Sequence, residues 1–425
     1  MFWIKWHRTP GFFNVAHLGT IFGRKREQRM ASHLAEHGDS DGEDTSMTIG
    51  DRRRYRRRAR RRQANEQKQR EVAGDLLEPW PALDVSRRPA RGLTGYEWWR
   101  SIGSPRFVCA PMVGGSSLAF RMLVRRYGCD LAFSPMIDAA GWRCGTTVSR
   151  RDRFLWSKPL VGDVPLVAQL AGDDPKTVAA AGRDVAHACD AIDLNCGCPQ
   201  PCAELGRYGA FLLSMPDCIE AIVRECVHSV PEVPITVKLR KPSNRAEDML
   251  ALAARLEAAG ASALTVHGRT KEQIGQFKGV ADWDVVAAVK QRASIPIILN
   301  GGIGSREDAL RALQVTRCDA VMSAEALLER PTLFAEEPPL NHYQIVEEFL
   351  DLARTYHTPP KALSVNMFAL LHGAFQRHPE VYARAPDRGG VEAWAGCVRE
   401  LHQCSIVKTY SPSTTCPGPW YLRHR

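Results

Sequence analysis

Ala191-Ile192-Asp193-Leu194-Asn195-Cys196-Gly197-Cys198-Pro199 is the stretch on which the reading of the fold turns. Ala191 to Leu194 is a short β-like run, and the residues after it place a thiol just past the strand's C-terminal end, where barrel enzymes carry their chemistry. Seven similar runs flank it at intervals of roughly 20 to 40 residues. They are Phe107 to Ala110, Leu131 to Phe133, Leu166 to Leu170, Ile235 to Leu239, Ala263 to Val266, Ile297 to Leu299 and Ala320 to Met322. Helix-like stretches follow most of them: Ser117 to Tyr127, Lys176 to Cys189, Asp217 to His228, Arg245 to Ala259, Trp283 to Gln291 and Arg306 to Gln314. Eight βα units between Pro105 and Phe334 predict a closed α/β architecture, the TIM (β/α)8 barrel, which takes ~250 residues. The second unit is irregular, because Ala139 to Ser157 lacks an amphipathic helix and reads as a long loop over the active face. An open doubly wound sheet is the alternative. It calls for a Gly-x-Gly-x-x-Gly turn after the first strand, where this chain has Ala110-Pro111-Met112-Val113-Gly114-Gly115.

Composition frames the rest. With 425 residues, 44% of them hydrophobic, the chain can fill a barrel and one smaller domain. Its net charge is +10, but Asp51 to Arg70 holds ten arginines and one lysine against one aspartate and one glutamate, so nearly all the excess lies in that tract. Such a concentration points to a basic arm for a polyanion; a solvated helix or a nuclear-import signal are the other readings. Thirteen cysteines without a compact framework suggest free thiols in a reducing compartment, which places the protein in the cytoplasm. No apolar run reaches the ~20 residues of a membrane span. Met1 to Arg26 carries five basic and no acidic residues, fitting a mitochondrial presequence in charge but not in serine content; an extension, or a start at Met30 or Met47, is the competing reading.

The predicted organisation has four parts. Residues 1–100 form a disordered extension with the basic arm, 101–336 a catalytic barrel, 337–405 a helical domain and 406–425 a tail. Within the helical domain, Tyr343 to Tyr356, Ala362 to Phe375 and Val391 to Ile406 show helical spacing, and Met367, Phe368, Leu371 and Phe375 read as its core.

Strand ends of a barrel converge on one face, so polar residues there are candidates for one site although far apart in sequence. Pro111, Gln169, Asn195, Lys238, His267 and Asn300 each end or closely follow a predicted strand. Cys196, Cys198 and Cys202 lack the Cys-x2-Cys spacing of a zinc site, and no metal is expected.

Six segments, in order, carry a resemblance over about 230 residues. Cys109-Ala110-Pro111-Met112, Val167-Ala168-Gln169-Leu170-Ala171-Gly172, Asn195-Cys196-Gly197-Cys198-Pro199-Gln200, Val237-Lys238-Leu239-Arg240, Val266-His267-Gly268-Arg269-Thr270 and Asn300-Gly301-Gly302-Ile303 resemble the tRNA-dihydrouridine synthase family. Tyr208-Gly209-Ala210-Phe211-Leu212 and Val321-Met322-Ser323-Ala324-Glu325 are similar to its eukaryotic 1-like subgroup. The resemblance implies an FMN-dependent barrel that uses NADPH or NADH to convert tRNA uridine to 5,6-dihydrouridine, at D-loop positions 16 and 17. It also implies Cys198 as proton donor, and Lys238 and His267 at the flavin's N1/O2 edge. Gln169 is implied as an amide contact to the ring, and Asn195 and Arg269 as partners of the uracil edge. Pro111, Met112 and Val113 would line the cofactor. Asn300, Gly301, Gly302, Ala324 and Glu325 would form the phosphate pocket, with Ala324-Glu325 standing where the wider family has Gly-Arg.

The chemistry of these residue types agrees. Saturating the C5=C6 bond of uracil takes a hydride and a proton, and a thiol of pKa ~8.5 is mostly protonated at neutral pH. The target base must leave its stack to reach such a site. By resemblance the helical domain docks the tRNA body, here through Lys361, His372, Arg377 and His378. Ser364-Val365-Asn366-Met367-Phe368 lacks the basic residue and histidine expected there, for which the arginine tract would compensate. A small-molecule flavin barrel related to dihydroorotate dehydrogenase, or a non-catalytic RNA-binding barrel, are the alternatives.

Overall fold

The computed structural model describes residues 91–144, 162–275, 279–337 and 341–403. The arginine tract, most of the expected second-unit loop and the tail lie outside them. Nine strands form one parallel sheet: β1 Phe107–Cys109, β2 Leu131–Phe133, β3 Ile137–Asp138, β4 Leu166–Ala171, β5 Ala191–Cys196, β6 Ile235–Arg240, β7 Ala263–His267, β8 Ile297–Asn300 and β9 Ala320–Ser323. β1 pairs with β9 and β2 with β4, so eight strands close into a ring; two-residue β3 pairs with β4 alone. The expected barrel is therefore present and the open-sheet alternative is not. Strands covered on both faces must be apolar nearly throughout, and every residue of β4 and β5 is buried.

Alternation divides those strands. Val108, Phe133, Val167, Ala191, Ile298 and Met322 fill the barrel interior, whereas Ile192, Leu194, Val237 and Leu299 face the helices. A helix, Gly95–Ser101, belongs to this interior. Trp98 and Trp99 join the inner cluster, 1% and 3% exposed, with rings 5.6 Å apart and edge to face. Those residues were expected in the extension. The aromatic pair instead supplies the apolar volume that the inner cluster requires, and Tyr96 is tied to Asp319 at 3.0 Å, alongside the Lys290–Asp319 ion pair at 2.6 Å.

The helices around the ring follow local rules. Asp174, Asp282 and Ser305 accept from the backbone N–H three residues on, starting Pro175–Val185, Trp283–Arg292 and Arg306–Thr316. Beyond the barrel come His342–Thr355, Pro360–Leu370, His372–Arg377, Pro379–Arg384 and Val391–Gln403. The single helix expected over Ala362 to Phe375 is broken at Leu371. The half-buried His342 ring meets the Leu370 carbonyl at 2.8 Å and engages an oxygen that would otherwise continue the helical ladder. Phe368 packs edge-on against Trp394, and Met367, Leu371 and Phe375 are buried, as expected of a core.

Asn366 hydrogen-bonds this unit to the barrel's first loop. Asn366, fully buried, donates to the Gly115 carbonyl at 2.7 Å and accepts from the Ser117 hydroxyl at 3.1 Å. Asn366→Ala should cost about 1–3 kcal/mol in urea unfolding, because both partners lose their bond in a buried place. A loss under about 0.5 kcal/mol would show that water reaches them.

Candidate active site

Register brings the expected residues to one level. Gln169 pairs with Asp193, Asn195 with Lys238, and His267 with Asn300, so inward-facing side chains of β4 to β8 ascend together to the C-terminal mouth. Cys198 stands above them, half-buried in the loop leaving β5.

Every backbone polar group of that loop's tip has a partner. The Asn195 side-chain oxygen accepts from the N–H of Gly197 and of Cys198, both at 3.0 Å. Arg240 Nε donates to the Gly197 carbonyl at 3.0 Å, and the Ala210 N–H donates to the Cys198 carbonyl at 2.9 Å. Gly209, at φ +72°, lets that second strap approach, since a Cβ there would stand 2.5 Å from the Cys198 oxygen. The backbone tip that carries the thiol is thus held by four hydrogen bonds, and burial raises the thiol's pKa. It stays a protonated acid at neutral pH.

Beneath it lies a buried polar chain. Asn195 Nδ2 donates to Gln169 Oε1 at 3.0 Å, Gln169 Nε2 to Asp193 at 2.8 Å, and Thr236 to the other Asp193 oxygen at 2.7 Å. Burial pushes the Asp193 carboxyl up to about 6, while Gln169, Thr236 and the Lys238 charge pull it partly back. Lys238 Nζ donates to Asn300 Oδ1 at 3.0 Å, and Asn300 in turn donates to the Met322 carbonyl. Burial, with the like charge of Arg240, pushes the Lys238 ammonium down to about 8.

His267 and Arg269 are also brought together. Arg269 Nη1 lies 3.2 Å from His267 Nε2, and the guanidinium donates twice to the Gly279 carbonyl, at 2.9 and 3.0 Å. A guanidinium only donates, so this contact makes Nε2 the acceptor of the ring. Arg269 is 3% exposed, which makes it a brace of the mouth as it stands. Gly301, at φ +102°, lies flush against the imidazole: a Cβ there would meet its Cδ2 at 2.7 Å. On the first loop Pro111 and Met112 are half-buried and Val113 is exposed; Ala324 and Glu325 follow β9 at the same end.

Asp193, Thr236 and Arg240 were not singled out in the sequence. Asp193 lies two residues before Asn195 and so shares its face, which is a signal the alternation of β5 contains. Arg240 is two past Lys238 by the same rule. Among the docking candidates, Lys361 and Arg377 are exposed, but His372 is 5% exposed and bonded to Gln376, so it faces the helical core. Among the described residues no cluster of three metal-binding side chains occurs, and no helix is long and apolar enough to cross a membrane.

The family model described as dihydrouridine synthase matches residues 108–375. The chain belongs to the dihydrouridine synthase family. It is 38% identical over 290 residues to the "tRNA-dihydrouridine(16/17) synthase [NAD(P)(+)]-like" protein of Rattus norvegicus, a match covering 68% of this chain and 65% of that one. The "tRNA-dihydrouridine(16/17) synthase [NAD(P)(+)]" of Schizosaccharomyces pombe is 32% identical, over 69% of this chain and 76% of the other. The human "tRNA-dihydrouridine(20a/20b) synthase [NAD(P)+]-like" protein is 38% identical over 59% and 77%. The chain thus spans 65% of the rat relative and 60% of its mouse counterpart.

The lowered Lys238 pKa has a measurable consequence. Between about pH 8 and 10.5 the unfolded chain keeps a proton that the folded one has released, so this lysine makes stability rise with pH across that window. Melting temperatures of flavin-free wild type minus those of Lys238→Met should therefore increase from pH 8 to 10; a flat or falling difference contradicts the assignment.

Proposed function

We propose that this protein reduces uridine to 5,6-dihydrouridine in tRNA, with FMN as bound cofactor and NADPH or NADH as reductant. One observation carries the reading: an acid-form thiol, on a loop tip whose backbone is held by four hydrogen bonds, shares a barrel mouth with a half-buried ammonium. Lys238 suits a flavin on this structure's own terms, because among the described residues its side chain donates to a neutral amide, Asn300, and forms no ion pair, leaving a half-buried cation beside the mouth. His267 would flank the same edge. The glycines after Asn300 would admit a phosphate, with Glu325 requiring that backbone N–H groups, not its side chain, meet the anion. Reduced flavin, when bound, supplies the hydride for C6 of the pyrimidine.

The chain's own residues do the rest. Cys198 holds the proton for C5, and the thiolate left behind is stabilised by Lys238 and Arg240, whose charges act on it. Pro111, Met112 and Val113 would cover the ring, and Asn195 and Arg269 would border the uracil. Gln169 would reach the ring only by its remaining amide hydrogen, as its oxygen and one hydrogen bond are taken. The 16/17 position is favoured by the longer match to the 16/17 relatives, 290 residues against 258 for the human 20a/20b one.

Cys198→Ala should lower dihydrouridine formation by about 10²-fold or more while flavin content stays unchanged. Mapping dihydrouridine in tRNA from cells lacking the protein, complemented with either form, checks this; full rescue by the alanine form removes Cys198 from the role. Turnover of free uridine or orotate in place of tRNA would favour a small-molecule barrel.

Docking of the tRNA body would fall to Lys361 and Arg377 on the helical unit and to the Arg52 to Arg62 tract, since neutralised phosphates release counterions. Deleting residues 1–90 should weaken tRNA binding and flatten its salt dependence. Unchanged affinity and slope in a filter-binding titration would eliminate the arm.

A further inference from the structure

We propose that Asp193 is a positioning residue for Cys198, acting through Gln169 and Asn195; this rests on the reading of Cys198 as the acid. A carboxylate accepts hydrogen bonds and does not donate them, whereas a carboxamide can face either way. Asp193 therefore requires Gln169 to turn its NH2 inward, at 2.8 Å, which leaves Gln169 Oε1 facing Asn195. That oxygen in turn requires the Asn195 NH2, at 3.0 Å. Only then is the Asn195 oxygen directed at the Gly197 and Cys198 N–H groups. Reversing the chain would aim an NH2 at two backbone N–H groups and release the tip that carries the thiol.

The surroundings fit this use. Thr236 occupies the second Asp193 oxygen, so the carboxylate cannot rotate away. Asp193 and Gln169 are 0% and 1% exposed, so water does not compete for their bonds. Among the described residues no cation forms an ion pair with Asp193; Lys238 on β6 acts on it from beyond contact, and Cys196 is its other titratable neighbour. A buried carboxylate without a countercharge is costly, and an apolar residue beside Ala191 would avoid that cost. What only the carboxylate provides is a fixed direction for two amides in series.

Two variants and a flavin-independent readout test this. Asp193→Asn keeps the volume but loses the acceptor-only character, and Gln169→Met breaks the chain one link later. In flavin-free protein, iodoacetamide labelling of Cys198, resolved by peptide mass spectrometry with Cys202 as internal reference, should rise at least about fivefold in either variant as the tip loosens. In the flavin-loaded protein kcat on tRNA should fall about 10- to 100-fold with KM little changed. The double variant should be no worse than Gln169→Met alone, because both act through one chain. A purely structural Asp193 would lower the melting temperature and leave Cys198 labelling and kcat at wild-type values; that result, in either folded variant, overturns the proposal. Labelling does not depend on what Cys198 does: an active Cys198→Ala enzyme with altered labelling in Asp193→Asn would end the acid reading and keep the positioning.

Discussion

Gln169, Asn195, Lys238, His267 and Asn300 lie on five different strands, and the hydrogen-bonded register between those strands is what carries them to one level. In a parallel ring each strand is offset from the next by its pairing, and a slip of one residue would turn a strand's inward face outward. Closure through β1–β9 and β2–β4 removes the free edges at which such slips begin. The apolar lower layers, joined by Trp98 and Trp99, thus secure the polar upper layer at the C-terminal mouth.

That upper layer is electrostatically tuned by burial more than by pairing. The Cys198 thiol and the Asp193 carboxyl are raised, and the Lys238 ammonium is lowered, each with desolvation as the largest cause. Burial favours the neutral form of every one of them, so a thiol remains an acid and an ammonium is drawn toward neutral pH. Arg240 links the two regimes. Its Nε holds the Gly197 carbonyl while its charge bears on both Lys238 and Cys198.

The helical unit bears on the same face through the Asn366 amide and the Val365 side chain. Asn366 ties the Gly115 carbonyl and the Ser117 hydroxyl, so the loop carrying Pro111, Met112 and Val113 cannot move independently of Pro360–Leu370. Val365, packed 3.2 Å from where a Cβ of Gly114 would lie, reinforces that seam. The segment that lacks the basic residue and histidine expected for RNA docking instead contacts the first loop through Val365 and Asn366.

By itself the sequence determined the eight barrel strands, most of their helices and the residues at the strand ends, because those follow from periods of 2 and 3.6 residues and from motifs contiguous in the chain; it missed the short helix Ala139–Arg143, where a loop was expected. It also determined family membership, since six ordered segments share one pattern. Tertiary structure alone decided which way the amides of Gln169 and Asn195 face, that Asp193 accepts from Gln169, and that Arg269 braces the mouth from a buried position. It likewise decided that Trp98 and Trp99 enter the barrel interior, that His372 is internal, and that His342 interrupts a helix at Leu371. Most of them depend on a hydrogen bond or an apolar contact between residues far apart in sequence, such as Gln169 with Asp193 at a separation of 24 or His342 with Leu370 at 28, and no local pattern encodes a partner at that distance. Arg269 and His372 bond to nearer residues, Gly279 and Gln376, and there it is burial by the surrounding fold that local spacing does not encode.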